Sequence, residues 1–362
     1  MSFSPSATGI TAGQLESIAS AALDFYVKGD AFDQTIQDKP LLSALRGKQK
    51  SFPGGKEKIS IPVVGEYLNS HADFFKGFSG TDAVTFQNPA YLKRAAYGYY
   101  SIHAGITMSF DELKADGITI LDSAFGEKTS QVSGRELTAL TSLLDHKLQS
   151  MSEGWAREMN EMLWRDGTQD AKVPAGILAY ITDAVTTGTI GGINRATSTW
   201  WRNRPLVTTT AGSDALTTAL RKEVRQLRRY GGKPNLILCG SKFLDALEAE
   251  VAAKSTYSQT GVAGSRNLAS PTLNINGIGT FQYDPTLDDL QAAGAGGGSI
   301  DYAKRCYFID TDAICLYAME GEDNKVHAPA RPHDVYALYR SMTWTGGTAV
   351  NRMNSCGVHA IS

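Results

Sequence analysis

Residues 191–204 read GGINRATSTWWRNR. Two adjacent tryptophans, Trp200 and Trp201, stand among Arg195, Arg202 and Arg204, with two asparagines and three hydroxyl side chains beside them. The stretch is too polar for a buried strand and too aromatic for an idle loop. Trp and Arg are the residues most enriched at binding hot spots, because each buries a large area while keeping a hydrogen-bonding tip. Arginine also stacks on tryptophan and forks onto carboxylates. The alternative is an ordinary core position for Trp200 with Trp201 in solvent.

Composition bounds what the rest can be. A chain of 362 residues carries a soft prior of about two domains. It is 42% hydrophobic and 20% charged, enough apolar material to bury a core. Its balance of 35 basic against 37 acidic residues argues against a dedicated nucleic-acid binder, which carries a basic excess. Cys239, Cys306, Cys315 and Cys356 are far apart with no CxxC, so they read as free thiols of a reducing compartment. The N-terminus lacks a basic-then-apolar signal pattern, and no apolar run approaches the ~18 residues of a membrane helix. The expectation is a protein made and kept in the cytoplasm, with no membrane partner.

Working outward along the chain, residues 1–54 read as an arm. Thr11 can cap a helix with the stripe Leu15, Ile18, Ala19, Ala22 and Tyr26, after which Pro40, Gly47, Pro53, Gly54 and Gly55 break the chain. KISIPVV (58–64) alternates as an edge strand. A matching strand is expected where Ile102, Ala104, Ile106 and Met108 alternate with Tyr99, Ser101 and His103. The two would form a long hairpin whose apical loop exposes Phe74, Phe75 and Phe78, and an isolated hairpin is marginal in water.

From Thr129 to Arg165 the apolar stripe Leu137, Leu140, Leu144, Leu148, Met151, Trp155, Met159 and Met162 predicts a helix about 50 Å long. Residues 173–325 read as mixed α/β: VPAGILAYI as a strand, a helix after Ser213 as cap with the stripe Leu216, Leu220, Val224 and Leu227, the strand NLILC, and a helix from Ser241. The tail reads as further strands around Gly346 and Gly347.

Motifs for chemistry are missing. There is no GxxxxGK[ST], no GxGxxG after an apolar strand and no GxSxG. Asp310 and Asp312 flank Thr311, a spacing that suits a β-turn better than a metal pair. The scattered histidines lack ligand spacing, and no nucleophile, base and oxyanion donors converge. No catalytic residue, cofactor or metal is assigned. Arg221, Arg225 and Arg228 recur on one helix face beside Lys222 and Arg229; that stripe could meet phosphates, solvent or a neighbouring subunit.

The arm, the hairpin and the Trp-Trp stretch carry more adhesive surface than one fold of this size covers, which points to self-association. At this point a resemblance enters. GGINRATSTWWRNR resembles the Gly-Ile-Asn-Arg-(Ala/Ser)-Thr…Trp-Trp-Arg-Asn pattern of major capsid proteins of tailed bacteriophages, and the order of parts is similar to their α+β Hong Kong 97-type fold. The resemblance implies an N-terminal arm (1–54), an extended loop (55–105), a peripheral domain with a long spine helix (106–172), an axial domain (173–325) and return strands of the peripheral domain (326–362).

It also implies a non-enzymatic protein of the virion. Copies would form pentamers and hexamers of an icosahedral shell around packaged double-stranded DNA, with a separate scaffolding protein and a portal as partners. Subunit contacts are expected from Arg195, Trp200, Trp201, Arg202, Arg204, Phe74, Phe75 and Phe78, and a DNA- or neighbour-facing surface from Arg221, Arg225 and Arg228. Lys76 invites comparison with the covalent cross-links of the type member, without a motif match. The alternative is a cytoplasmic nucleic-acid-binding protein using the helix at 213–230.

Overall fold

The computed structural model describes residues 37–65, 77–83, 86, 92–109, 134–229, 231–255, 272–275, 277–292, 300–327 and 337–362. These fall into two compact units. The smaller contains 103–109, 134–155, 326–327 and 337–342; the larger contains the remainder.

In chain order the strands are β1 (Lys50–Phe52), β2 (Lys58–Val64), β3 (Leu92–Gly98), β4 (Tyr100–Ser109), β5 (Thr189–Ile190), β6 (Ile193–Asn194), β7 (Arg204–Thr209), β8 (Leu236–Cys239), β9 (Thr272–Ile275), β10 (Gly279–Tyr283), β11 (Arg305–Ile309), β12 (Ile314–Met319), β13 (Lys325–Val326), β14 (Ala337–Val350) and β15 (Gly357–Ile361). The helices are α1 (Pro40–Arg46), α2 (Gly134–Trp164), α3 (Ile177–Tyr180), α4 (Ala215–Arg228), α5 (Ser241–Ser255) and α6 (Pro285–Ala292).

The larger unit is built on a six-stranded mixed sheet in the order β7-β15-β11-β8-β10-β9. Both central strands, β8 and β11, are apolar runs, as a sheet covered on two faces requires. On one face Leu216, Leu220, Val224 and Leu227 of α4 and Phe243 and Leu247 of α5 pack on Ile237, Cys239, Phe281, Cys306 and Phe308. The α4 stripe is the one its i, i+4, i+8, i+11 spacing dictates, and each fully buried leucine contributes about 1.5–3 kcal/mol relative to exposure. On the other face, Trp164 at the end of α2 meets Tyr307 edge-on at 5.2 Å and donates to Asp284 at 2.7 Å. Asp284 also accepts from the Thr286 amide at 3.0 Å, which caps the start of α6.

The expected long helix is present as 31 residues, about 46 Å, with Met159 and Met162 buried as their spacing requires. The start of α4 departs from expectation. Neither Ser213 nor Asp214 caps it; Asp214 is left-handed, with φ 68°, and makes no side-chain cap. Glu250 from α5 serves instead, accepting from the amides of Leu216 at 3.2 Å and Thr217 at 2.9 Å and from the Thr217 hydroxyl at 2.8 Å. A carboxylate there answers both the orphan amides and the positive end of the helix dipole.

Two further expectations are corrected. The partner of β2 is β3, in antiparallel register Ile59↔Tyr97 and Val63↔Lys93, and not the alternating run around 99–108. That run is β4, which pairs with β14. Tyr99 separates the two strands, so the hairpin closes one strand earlier than alternation alone suggests. VPAGILAYI contains the short helix α3: Gly176 sits so close to the Leu163 carbonyl that a Cβ there would lie 2.2 Å away, and the Ile181 amide closes a helical turn on Ile177.

The chain changes sheet twice after β11. β12 already pairs with β14 and β1, while β15 returns to the six-stranded sheet between β7 and β11. Gly346 and Gly347 lie inside β14, where the Tyr317 carbonyl and the Trp344 ring leave no room for a Cβ at Gly346.

Candidate subunit-contact surface

The stretch 191–204 forms a clamp that begins with a two-residue hairpin. β5 and β6 pair as Thr189↔Asn194 and Ile190↔Ile193, and Gly191 and Gly192 between them have φ of +60° and +79°. Positive φ at both central residues is the type I′ arrangement, whose twist matches the flanking strands and which glycine enters without strain. Gly191 also touches the extended hairpin. Its carbonyl accepts from the Ala96 amide at 2.9 Å, and a Cβ would lie 2.9 Å from the Tyr97 hydroxyl and 3.0 Å from the Ala95 Cβ. Tyr97 cannot easily yield: its hydroxyl donates to the Val350 carbonyl at 2.9 Å, and its ring meets Tyr180 edge-on at 6.0 Å.

After the hairpin, Asn194 starts a tight turn by accepting from the Ala196 amide at 2.8 Å. The three arginines then tie the turn down, each differently. Arg195 is buried, and its guanidinium donates to the Thr182 hydroxyl at 2.7 Å and to the Asn203 side-chain carbonyl. These acceptors are neutral, so burial first, and the nearby Arg202 charge second, lower the Arg195 pKa from its ordinary value. Arg202 donates back to the carbonyls of Arg195 at 2.7 Å and Ala196 at 3.0 Å. Arg204 alone forks onto a carboxylate, Glu223 of α4, at 2.8 and 3.3 Å. Asn203 completes the clamp by donating to the Thr182 carbonyl at 2.9 Å.

The two tryptophans divide the work in the reverse of the alternative reading. Trp201 is 1% exposed and donates to the Ile190 carbonyl at 3.1 Å. Trp200 is half-buried, lies edge-on to Trp201 at 5.7 Å, and covers Gly65 at the end of β2, where a Cβ would be 2.6 Å from the ring. Lys93 of β3 sits 5.7 Å over the Trp200 ring and donates to Ser198 at 2.9 Å. Both strands of the hairpin are thus fastened where the paired segment opens into its loop, at Gly65 and Lys93. Next to that point is an open groove of about 1140 Å³ whose walls include Pro62, Val64, Trp200, Arg202, Arg229 and Arg352.

Among the described residues at the loop end of the hairpin, four large apolar side chains are open to solvent. Val64, Phe78, Phe86 and Leu92 are 49%, 73%, 92% and 59% exposed. Phe74, Phe75 and Lys76 lie outside the described residues. Arg195 and Trp201, expected to touch another subunit, are buried, and their contacts are with Thr182, Asn203, Ile190 and Trp200 of their own chain. Trp200, Arg202 and Arg204 are only partly covered. Arg221, Arg225 and Arg228 are all exposed on α4, and its single acid, Glu223, is buried against Arg204. Asp310 closes the β11–β12 turn by accepting from the Asp312 amide at 3.1 Å, and Asp312 pairs with Lys48 at 2.6 Å.

Sequence reading did not single out Gly65, Tyr97, Thr182 or Glu250. Of these only Gly65, directly after the Val63-Val64 end of the strand, carries a local signal. Among the described residues no three His, Cys, Asp or Glu side chains converge as a metal site, and no helix is long and apolar enough to cross a membrane.

No family model matches the chain, and no curated protein matches it in sequence. Solved structures do. The capsid asymmetric unit of cyanophage A-1(L) superposes with a TM-score of 0.62 at 14% identity, covering 92% of this chain and 95% of that one. The capsid of the Myoviridae phage XM1 gives 0.56 at 12% identity, covering 93% and 96%. A structure of Mycobacterium phage Ogopogo gives 0.54 at 11% identity, covering 94% and 99%. A six-stranded mixed sheet backed by helices, a 31-residue helix, a clamped hairpin and a likeness along more than nine-tenths of both chains lead to one conclusion: this chain has the α+β Hong Kong 97-type fold of tailed-phage capsid subunits.

Proposed function

We propose that this chain is the shell-forming protein of a tailed-phage head, a virion component that acts by self-assembly and not by catalysis. The observation that carries the reading is the extended hairpin. It presents Phe78 and Phe86 to solvent while its paired strands are fixed by Gly191, Trp200 and Ser198. A monomer gains nothing from fastening so firmly an element that ends in bare phenylalanines. A second copy that receives the hairpin covers them, and obligate interfaces of this kind bury roughly 2,000–5,000 Å².

In this reading 1–54 is the arm and 55–105 the extended loop; β1 and the paired strands β2 and β3 hold to their own chain, and the loop between β2 and β3 lies on a neighbour. Residues 106–172 and 326–362 are peripheral and 173–325 axial, with the sheet exchange of β12 and β15 as described above. Copies form pentamers and hexamers that enclose double-stranded DNA, assembled in the host cytoplasm with a separate scaffolding protein and a portal. Each contact is modest, and closure of the shell makes many at once.

The exposed cations of α4 favour a second reading for that helix alone. Arg221, Lys222, Arg225 and Arg228 face solvent with no exposed acid on the helix, a surface suited to the phosphates of packaged DNA. Light scattering after size exclusion, with negative-stain microscopy of the expressed chain, tests the main reading. Rings, tubes or shells are expected. A monodisperse monomer at every concentration, retained on DNA with a steep salt slope, would support the nucleic-acid-binding alternative instead.

A further inference from the structure

Cys239 and Cys306 form a matched pair in the core beneath α4 and α5, where the Cys239 thiol donates to the Gln282 carbonyl at 3.4 Å. Cys239 is the last residue of β8 and Cys306 the second of β11, and the antiparallel register sets them directly opposite each other. Both are 0% exposed, both are free, and both belong to the core beneath α4 and α5, so their side chains project from the same face of the sheet.

The hydrogen bonds fix which kind of pair it is. The Gly240 amide donates to the Arg305 carbonyl at 3.1 Å, which makes the adjacent 240/305 position hydrogen-bonded. Cys239 turns its carbonyl the other way, accepting from Asp284 at 3.1 Å on the β10 side. Alternation then makes Cys239/Cys306 a non-hydrogen-bonded pair, the closer kind, with Cα atoms about 4.5 Å apart. That lies within the roughly 4.4–6.8 Å that a disulfide spans.

We infer that Cys239 and Cys306 are a latent cross-strand disulfide site, which a two-electron thiol oxidant closes between the two central strands of the six-stranded sheet. With a diazene oxidant such as diamide, one sulfur adds to nitrogen, the second sulfur attacks the first, and the hydrazine leaves. The two electrons and both thiol protons pass to the diazene, and the chain loses two hydrogens. Burial pushes the Cys239 thiol up to about 12, so little thiolate forms in the closed sheet and the reaction waits on local opening. The product is a cross-link within one chain, with no change in oligomeric mass.

The test is a peptide map of the full chain. The protein is treated with diamide, in buffer and in a series of urea concentrations below its unfolding midpoint, then denatured, alkylated and digested. The expected result is a linked pair of peptides carrying Cys239 and Cys306, released by reductant, while Cys315 and Cys356 are alkylated. Cys239→Ser should return Cys306 to full alkylation, and Cys306→Ser should do the same for Cys239. Alkylation of all four thiols at every urea concentration, or a link that involves Cys315 or Cys356 instead, would overturn the inference. The wild-type map decides the matter even if a serine variant fails to fold.

Discussion

Gly191→Ala and Gly192→Ala form a matched pair of perturbations. Both residues have positive φ, so an alanine at either costs about 1–2 kcal/mol in backbone strain, less about 0.4–1 kcal/mol recovered from the stiffer unfolded chain. At Gly192 nothing lies within 4 Å of the new methyl, so the cost stops there, near 1 kcal/mol. At Gly191 the methyl meets Tyr97 at 2.9 Å and Ala95 at 3.0 Å, and Tyr97 is held by Val350 and Tyr180. Overpacking of that kind adds about 1–3 kcal/mol.

Urea denaturation of the unassembled chain should therefore show a loss of about 2–4 kcal/mol for Gly191→Ala and about 1 for Gly192→Ala, with unchanged slopes. Hydrogen exchange gives a second reading, because the Ala96 amide donates to the Gly191 carbonyl; it should lose protection chiefly in Gly191→Ala. Equal losses within about 0.5 kcal/mol, with the Ala96 amide equally protected in both variants, would refute the claim that this turn presses on the hairpin.

Three other expectations follow from the same geometry. Glu250→Ala should cost about 2–3 kcal/mol in urea unfolding and Glu250→Gln about half as much, since the amide keeps one acceptor for the start of α4. Gly65→Ala should cost about 1–3 kcal/mol, and a double-mutant cycle should show that cost largely vanishing once Trp200→Ala removes the ring that meets the methyl. His359 is fully buried, both ring nitrogens lack partners, and burial lowers its pKa from 6.5 to about 4. The folded state therefore binds the proton less readily than the unfolded chain. Its contribution is complete above pH 6.5 and is lost as pH falls towards 4, by about 3 kcal/mol at most. The wild-type minus His359→Leu difference in stability should trace that fall, and a flat difference would contradict it.

Helix faces were legible because periodicity is a local property. The stripe Leu216, Leu220, Val224 and Leu227 is buried as written, and so are Met159 and Met162 of the long helix. The Gly191-Gly192 pair marks its own turn type. What could not be read is what each element packs against. Alternation over 99–108 is sound for a strand but does not name its partner, and pairing is decided by residues more than two hundred positions away in β14.

The same limit applies to the clamp. The stretch 191–204 announces adhesive side chains, and two of them, Arg195 and Trp201, are consumed inside their own chain by Thr182, Asn203 and Ile190. Composition gives the appetite of a residue for contact, and only the three-dimensional arrangement tells whether a neighbour in the same chain meets it. Glu250 shows this most plainly, since the cap of α4 comes from the following helix rather than from the residues that precede it.

The central claim is that the exposed end of the hairpin is completed by another copy. Its most direct measurement replaces Phe78 and Phe86, which are 73% and 92% exposed, with aspartate and follows two properties in parallel. Burying both rings on a neighbour is worth about 3–6 kcal/mol per contact, so the account requires that Phe78→Asp/Phe86→Asp abolish particles in light scattering and microscopy while the urea midpoint of the unassembled chain stays unchanged. Particles at normal yield from the double variant, or a monomer unfolded by it, would contradict the account.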